Sequence, residues 1–201
     1  KWMQANKPEA IFIAAAKVGG IVANNTQPVP FLYDNMMIEA NIIHAAHAIG
    51  VEKLQFLGSS CIYPRMADQP MREDALLTGP LEPTNEWYAV AKIAGIKLSE
   101  AYRQQHGNDF ISAMPTNLFG PGDNYDLENS HVPAAMIAKC HAAKMAGDST
   151  IEVWGTGAPM REFMSVDDLA DALVFLLIHY SDDTFVNVGS GKEISIKAFA
   201  E

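Results

Sequence analysis

Positive charge is scarce in this chain of 201 residues: 14 Lys and Arg stand against 24 Asp and Glu, a formal net charge of −10. A protein this acidic does not bind nucleic acid by neutralising phosphates along its surface, so an anionic ligand has to be met by a few local cations. Long apolar runs are also missing. The strongest candidate, over 172–178, falls far short of the ~18 residues of a membrane helix, so no membrane partner is expected, and no targeting segment is visible. Cysteine is limited to Cys61 and Cys140, too few for a disulfide framework and without metal-ligand spacing. His44, His47, His106, His141 and His179 show no metal arrangement either. A reducing cytoplasm is the expected setting, with no bound metal. There is no internal repeat or low-complexity segment.

What is present reads as a globular chain, with 49% hydrophobic and 19% charged residues and enough length for one or two domains. Apolar, β-favouring stretches at 10–14, 53–57 and 110–114 predict strands. Between them, helices are predicted over 31–49, stopped by Gly50, and over 85–106, ending near Gly107. The first is apolar on nearly every side, which predicts more than one buried face, one of them available to a second subunit. Regular alternation of strand and helix predicts a parallel sheet with crossover helices. Ligands then bind at the carboxyl ends of the strands, here Ala14-Ala15-Ala16, Gly58-Ser59-Ser60-Cys61 and Pro115-Thr116-Asn117. Past Gly120-Pro121-Gly122 the pattern loosens into a polar loop over 123–130. A helix over 132–145, a short strand at 151–154, a helix over 167–179 with Ser165 or Asp167 as N-cap, and a strand at 185–188 complete the prediction.

Tyr88 and Lys92 lie four apart, on one face of the second long helix. An ammonium beside a phenol favours phenolate and lowers the tyrosine pKa, which makes the side chain a usable acid or base nearer neutrality. Such a pair is common on helices and has no meaning alone. Ser59, at a strand end some thirty residues upstream, gives it one, because hydroxyl, phenol and ammonium together suit chemistry at a carbonyl. Cys61 adds a thiol two residues further on, although a lone cysteine is often only a small buried hydrophobe.

Ser59 with Tyr88-Ala89-Val90-Ala91-Lys92 resembles the signature of the extended short-chain dehydrogenase/reductase superfamily. More narrowly, Ala14-Ala15-Ala16-Lys17-Val18-Gly19-Gly20, Leu57-Gly58-Ser59-Ser60-Cys61-Ile62-Tyr63-Pro64, Glu82-Pro83-Thr84-Asn85-Glu86, Met114-Pro115-Thr116-Asn117-Leu118 and Pro159-Met160-Arg161-Glu162-Phe163 are similar to blocks of the GDP-L-fucose synthase family. The resemblance implies an α/β fold, a Rossmann-like doubly wound parallel sheet, incomplete here, with a smaller substrate-binding lobe. Residues 1–122 would form part of the dinucleotide-binding domain. Residues 123–201 would begin the substrate lobe, interleaved with elements returning to the sheet.

The implied reaction is epimerisation of GDP-4-keto-6-deoxy-D-mannose at C3 and C5, followed by NADPH-dependent reduction at C4. It would be carried by a homodimer built on the helices at 31–49 and 85–106. Ser59, Cys61, Tyr88, Lys92 and His131 take the catalytic positions, Cys61 as base and His131, within Asn129-Ser130-His131-Val132, as acid. Leu57, Gly58, Ser59, Ser60, Tyr88, Lys92, Pro115, Thr116, Asn117, Leu118 and His131 would line the NADP cofactor. Lys139, Trp154 and Arg161 match substrate-binding positions, the cations suiting a diphosphate. Read without the resemblance, His131 is a surface or capping residue, Lys139 a solvated charge and Trp154 core packing.

One expected element is missing. The phosphate-cradling glycine loop that opens a dinucleotide fold is not present, and Gly19-Gly20 follows the wrong strand. NADP therefore rests on the resemblance alone, and the chain is expected to be a piece of a longer protein that binds cofactor poorly by itself. Related 4-epimerases and 4,6-dehydratases share Ser59, Tyr88 and Lys92 but do not need Cys61 with His131. A catalytically silent, nucleotide-binding relative is the alternative from another class.

Overall fold

The computed structural model describes residues 1–127 and 130–201. The chain runs through α1 (Trp2–Asn6), β1 (Ala10–Ile13), α2 (Ile21–Thr26), α3 (Pro28–Ile49), β2 (Lys53–Leu57), α4 (Glu86–His106) and β3 (Asp109–Pro115). It continues as β4 (Asn117–Phe119), α5 (Val132–Ala146), β5 (Met160–Ser165), α6 (Val166–His179), β6 (Val186–Val188), β7 (Glu193–Ser195) and α7 (Ile196–Ala200). The main sheet has the order β1-β2-β3-β6, with every pair parallel. Helices cover both faces, which makes this a Rossmann-like α/β fold. Gly50 and Gly107 end α3 and α4 with φ of 73° and 72°, a left-handed conformation that glycine adopts without steric cost.

Alternating side chains send β2 and β3 into two cores. Leu54, Phe56, Phe110 and Met114 meet Ile43 and Ala46 of α3 and Ile93 and Ile96 of α4. On the opposite face, Ala113 packs with Leu169 and Leu173 of α6. The Ser165 side chain accepts from the Asp167 backbone N–H and caps α6, one of the two candidates named for that role. The buried stripe of α3 is narrow: Phe31, Asn35, Glu39, Ile43 and Ala46, with Tyr33, Met36 and Met37 left exposed.

A second sheet joins β4 parallel to β5 and β5 antiparallel to β7. It adjoins the carboxyl end of β3, where the Thr116 hydroxyl and the Asn117 side-chain amide both donate to the Glu162 carbonyl, at 2.9 and 3.0 Å. The strand predicted at 151–154 does not form. That segment has no ladder partner among the described residues, and the Glu152 carbonyl accepts from Lys139 Nζ instead.

Asp109 ties the opposite, amino-terminal end of the sheet together. Its carboxylate takes Lys53 Nζ at 2.8 Å and Arg103 at 2.7 Å, with the Ser181 hydroxyl also donating. Partial burial raises its pKa, but the Lys53, Arg103 and Ser181 hydrogen bonds outweigh this and hold it below the usual carboxylate value. A carboxyl with a depressed folded-state pKa contributes stability above its unfolded pKa and loses it as pH falls through the folded value. Asp109→Asn is therefore expected to cost about 1–3 kcal/mol near pH 7, a difference that shrinks in strong acid. Denaturant titrations of both proteins across acid and neutral pH measure it.

Candidate active site

The carboxyl end of β2 is built for close approach. The Gly58 N–H donates to the Ala113 carbonyl of β3 at 2.9 Å, and a Cβ at Gly58 would sit 2.0 Å from Met114 Cε, so a larger residue would have to push the Met114 thioether aside. Ser59 is extended and opens a single 3-10 turn, Ser60–Ile62, in which Ile62 N–H donates back to the Ser59 carbonyl. The turn swings Ser59 and Cys61 toward α4. There the Ser59 hydroxyl lies close enough to the Cys61 thiol and the Tyr88 phenol to favour the ionised form of each by hydrogen bonding.

Lys92, one helical turn beyond Tyr88, is buried with 2% of its surface exposed. Its ammonium donates to the Leu57 carbonyl at 3.0 Å, lies 4.6 Å from the centre of the Phe56 ring and 5.9 Å from that of Tyr88. It is also 3.0 Å from Oε1 of Glu39 on α3, itself 2% exposed. Burial lifts the Glu39 carboxyl to about 7, against the pull of Lys92.

This pairing corrects the expectation that Lys92 lowers the Tyr88 pKa. Burial pushes the phenol up, the neighbouring Cys61 and Glu39 add to the rise, and the Ser59 hydrogen bond offsets only part of it. The ammonium that was to favour phenolate faces the Glu39 carboxyl group, 3.0 Å away. Tyr88 thus keeps its proton in this state. Cys61 is likewise held as a thiol: burial raises it to about 11, with Ser59 and Lys92 pulling the other way.

The structure therefore brings Leu57, Gly58, Ser59, Cys61, Tyr88 and Lys92 into one cluster, with Ser60 in its turn. Pro115, Thr116, Asn117 and Leu118 follow the adjacent strand end. The half-buried hydroxyls at these parallel strand ends, beside a buried ammonium with two partners, form a donor set that fits the nicotinamide and ribose of a dinucleotide. His131 stands at the N-cap of α5, exposed and not capping it with its side chain. It is outside the cluster's contacts among the described residues. Asn129 lies outside the described residues.

Lys139 and Trp154 do meet, the ammonium 4.4 Å from the indole centre. Trp154 is 64% exposed, so it is not core packing. Arg161 is exposed on β5, its guanidinium donating to the Met160 carbonyl. Neither cation has an acidic partner among the described residues, which leaves both for an anion.

Two further residues shape the site without having been singled out in the sequence. Glu39 is one. The other is Gly95, where a Cβ would meet the Phe56 ring at 2.4 Å and Glu39 Oε2 at 2.9 Å, so glycine is what allows α4 to lie this close to the carboxylate. The sequence signal was Asn35 and Glu39 four apart, on the same stripe of α3 as Phe31 and Ile43.

Residues 1–189 match the NAD dependent epimerase/dehydratase family. The chain is 60% identical to the GDP-L-fucose synthase of Sinorhizobium fredii over 98% of its own length and 62% of that protein. It is 60% identical to GDP-L-fucose synthase 1 of Arabidopsis thaliana over 97% of its length and 60% of that protein. It thus spans about three fifths of the curated relatives it matches. Among solved structures, a GDP-L-fucose synthetase from Naegleria fowleri bound to NADP superposes with a TM-score of 0.89 at 31% identity, covering 100% of this chain and 66% of that one.

The two thiols differ enough to be separated chemically, since thiolate is the reacting form. Iodoacetamide at neutral pH is expected to label exposed Cys140 well before Cys61, with labelling of Cys61 rising toward pH 11. Peptide mass spectrometry over a pH series reads both.

Proposed function

This chain belongs to the NAD dependent epimerase/dehydratase family, and we propose that it carries the catalytic cluster of an enzyme converting GDP-4-keto-6-deoxy-D-mannose to GDP-L-fucose. The observation that carries this reading is Cys61, a potential carbon base set into the hydroxyl, phenol and ammonium cluster of a ketone reductase. Similarity to enzymes named GDP-L-fucose synthase over nearly the whole chain supports it.

Hydrogens at C3 and C5 are acidic because the C4 carbonyl takes up the charge as an enolate. Ser59 and Tyr88 donate hydrogen bonds to that oxygen. Cys61 gives its own proton to solvent and then, as thiolate, removes the substrate proton; the nearby Lys92 ammonium and the Ser59 hydroxyl favour that thiolate. His131 returns a proton from the other face, because inversion needs two groups on opposite sides. NADPH, when bound along Leu57 to Ser60, Tyr88, Lys92, residues 115–118 and His131, supplies the hydride for C4. Tyr88, protonated at rest, then delivers its proton to the C4 oxygen.

Lys139 and Arg161 hold the diphosphate, and Trp154 offers an open indole face at the GDP end. The assembly is a homodimer through α3 and α4, which expose Tyr33, Met36, Trp87 and Val90. The setting is the reducing cytoplasm, in keeping with two free cysteines. No helix among the described residues is long and apolar enough to cross a membrane.

With GDP-4-keto-6-deoxymannose and NADPH, the full-length protein is expected to form GDP-L-fucose. Absence of a fucose product contradicts the proposal. Tyr88→Phe is expected to lower reduction by about 10²–10⁴-fold while substrate still exchanges its C3 and C5 hydrogens in deuterated water. Cys61→Ser is expected to lose that exchange; unchanged deuterium uptake removes Cys61 as the base.

A further inference from the structure

Glu39 comes from α3, which supplies none of the residues placed above in the chemistry, yet its carboxylate reaches the middle of the cluster. Burying a carboxylate is costly unless a cation meets it, and the fold meets it with one particular lysine, at 3.0 Å. Both side chains are shut off from solvent, at 2% and 3% exposure. The approach is a built one: Gly95 leaves out the Cβ that would strike Glu39 Oε2 and the Phe56 ring. The Leu57 carbonyl fixes the ammonium from the sheet side. Apart from Lys92, neither Glu39 oxygen has a hydrogen-bond donor among the described residues. The carboxylate is therefore committed to this one ammonium.

We propose that Glu39 is a positioning residue for proton donation by Tyr88: it clamps the Lys92 ammonium and offsets its charge, so that the adjacent phenol keeps its proton until the C4 oxygen needs it. The inference rests on the reading of Tyr88 as the acid of the reduction proposed above. The charged and titratable groups that face this unit are few. Glu39 faces it from α3, Cys61 from the turn after β2, and Tyr88 and Lys92 lie on α4, with the polar Ser59 hydroxyl and Leu57 carbonyl completing the surroundings. Above neutral pH Glu39 is ionised and the pair is neutral. An uncompensated Lys92 would instead draw the Tyr88 proton off at lower pH.

Glu39→Gln keeps the shape and removes the charge. In the full-length protein the alkaline limb of kcat for the reduction is expected to fall by about one pH unit or more, because loss of the carboxylate disfavours the protonated forms of Lys92 and Tyr88 alike. Glu39→Asp, with its charge held further off, is expected to lie between wild type and Glu39→Gln. A residue that merely supports the fold lowers kcat and leaves the limb in place, and that result overturns the proposal. Should the glutamine variant not fold, the aspartate variant decides in the same way, by a shifted or an unmoved limb. A second readout needs no turnover: the phenolate absorbance missing in Tyr88→Phe should appear at lower pH in Glu39→Gln, and its appearance at an unchanged pH also overturns the proposal. A protein that reduces no GDP-linked keto sugar contradicts the proposed function while leaving this absorbance test in force.

Discussion

The contact on which the rest of this structure depends is the buried ion pair between Lys92 of α4 and Glu39 of α3. Removing one partner of such a pair typically costs ~3–5 kcal/mol, because the other charge is left stranded out of water. Several otherwise unrelated features serve this one contact. Gly95 lets the two helices close on it, the Phe56 ring walls it off, and the Leu57 carbonyl takes up a further ammonium hydrogen. The same ammonium sits one helical turn from Tyr88, so what holds the helices against the sheet also sets the electrostatics of the chemistry.

That arrangement divides acid from base. A phenol pushed up by burial and by its negative neighbours keeps its proton, which suits the acid of the reduction proposed above. A thiol raised to about 11 is inert to most reagents until it is ionised, and the proposed base role of Cys61 needs that ionised form. In a chain carrying a net charge of −10, an anionic group has to be met by local cations, and the proposal gives that role to Lys139, seated against Trp154, and to Arg161 on the second sheet.

Much of this was legible in the sequence. Strand-helix alternation gave the parallel sheet because buried parallel strands are short apolar runs that need no partner pattern to be recognised. Ser59, Tyr88 and Lys92 were legible because a strand end and a four-residue helical spacing are both local rules, whereas Cys61 stood out only through the family resemblance. Glu39 was not legible, since a carboxylate in a helix apolar on nearly every side looks like a solvated position, as Asp34 of the same helix is, until the facing lysine is known. The pKa of Tyr88 is hidden for the same reason: the spacing shows the ammonium and not its counter-charge. The segment 151–154 has strand-like residues, but a strand needs a neighbour, and its carbonyl at Glu152 went to a lysine. Without the resemblance Trp154 reads as core, yet it is exposed, because an indole over a cation is settled by tertiary contact and not by composition.

The account's central claim is that the Lys92–Glu39 pair leaves Tyr88 a protonated acid, and carbon NMR of the full-length protein labelled at tyrosine Cζ tests it most directly. The resonance absent from Tyr88→Phe identifies the residue. It is predicted to hold the position of a neutral phenol beyond pH ~10, the ordinary midpoint for tyrosine. A Tyr88 signal that moves to the phenolate position well below pH ~10 would contradict the account.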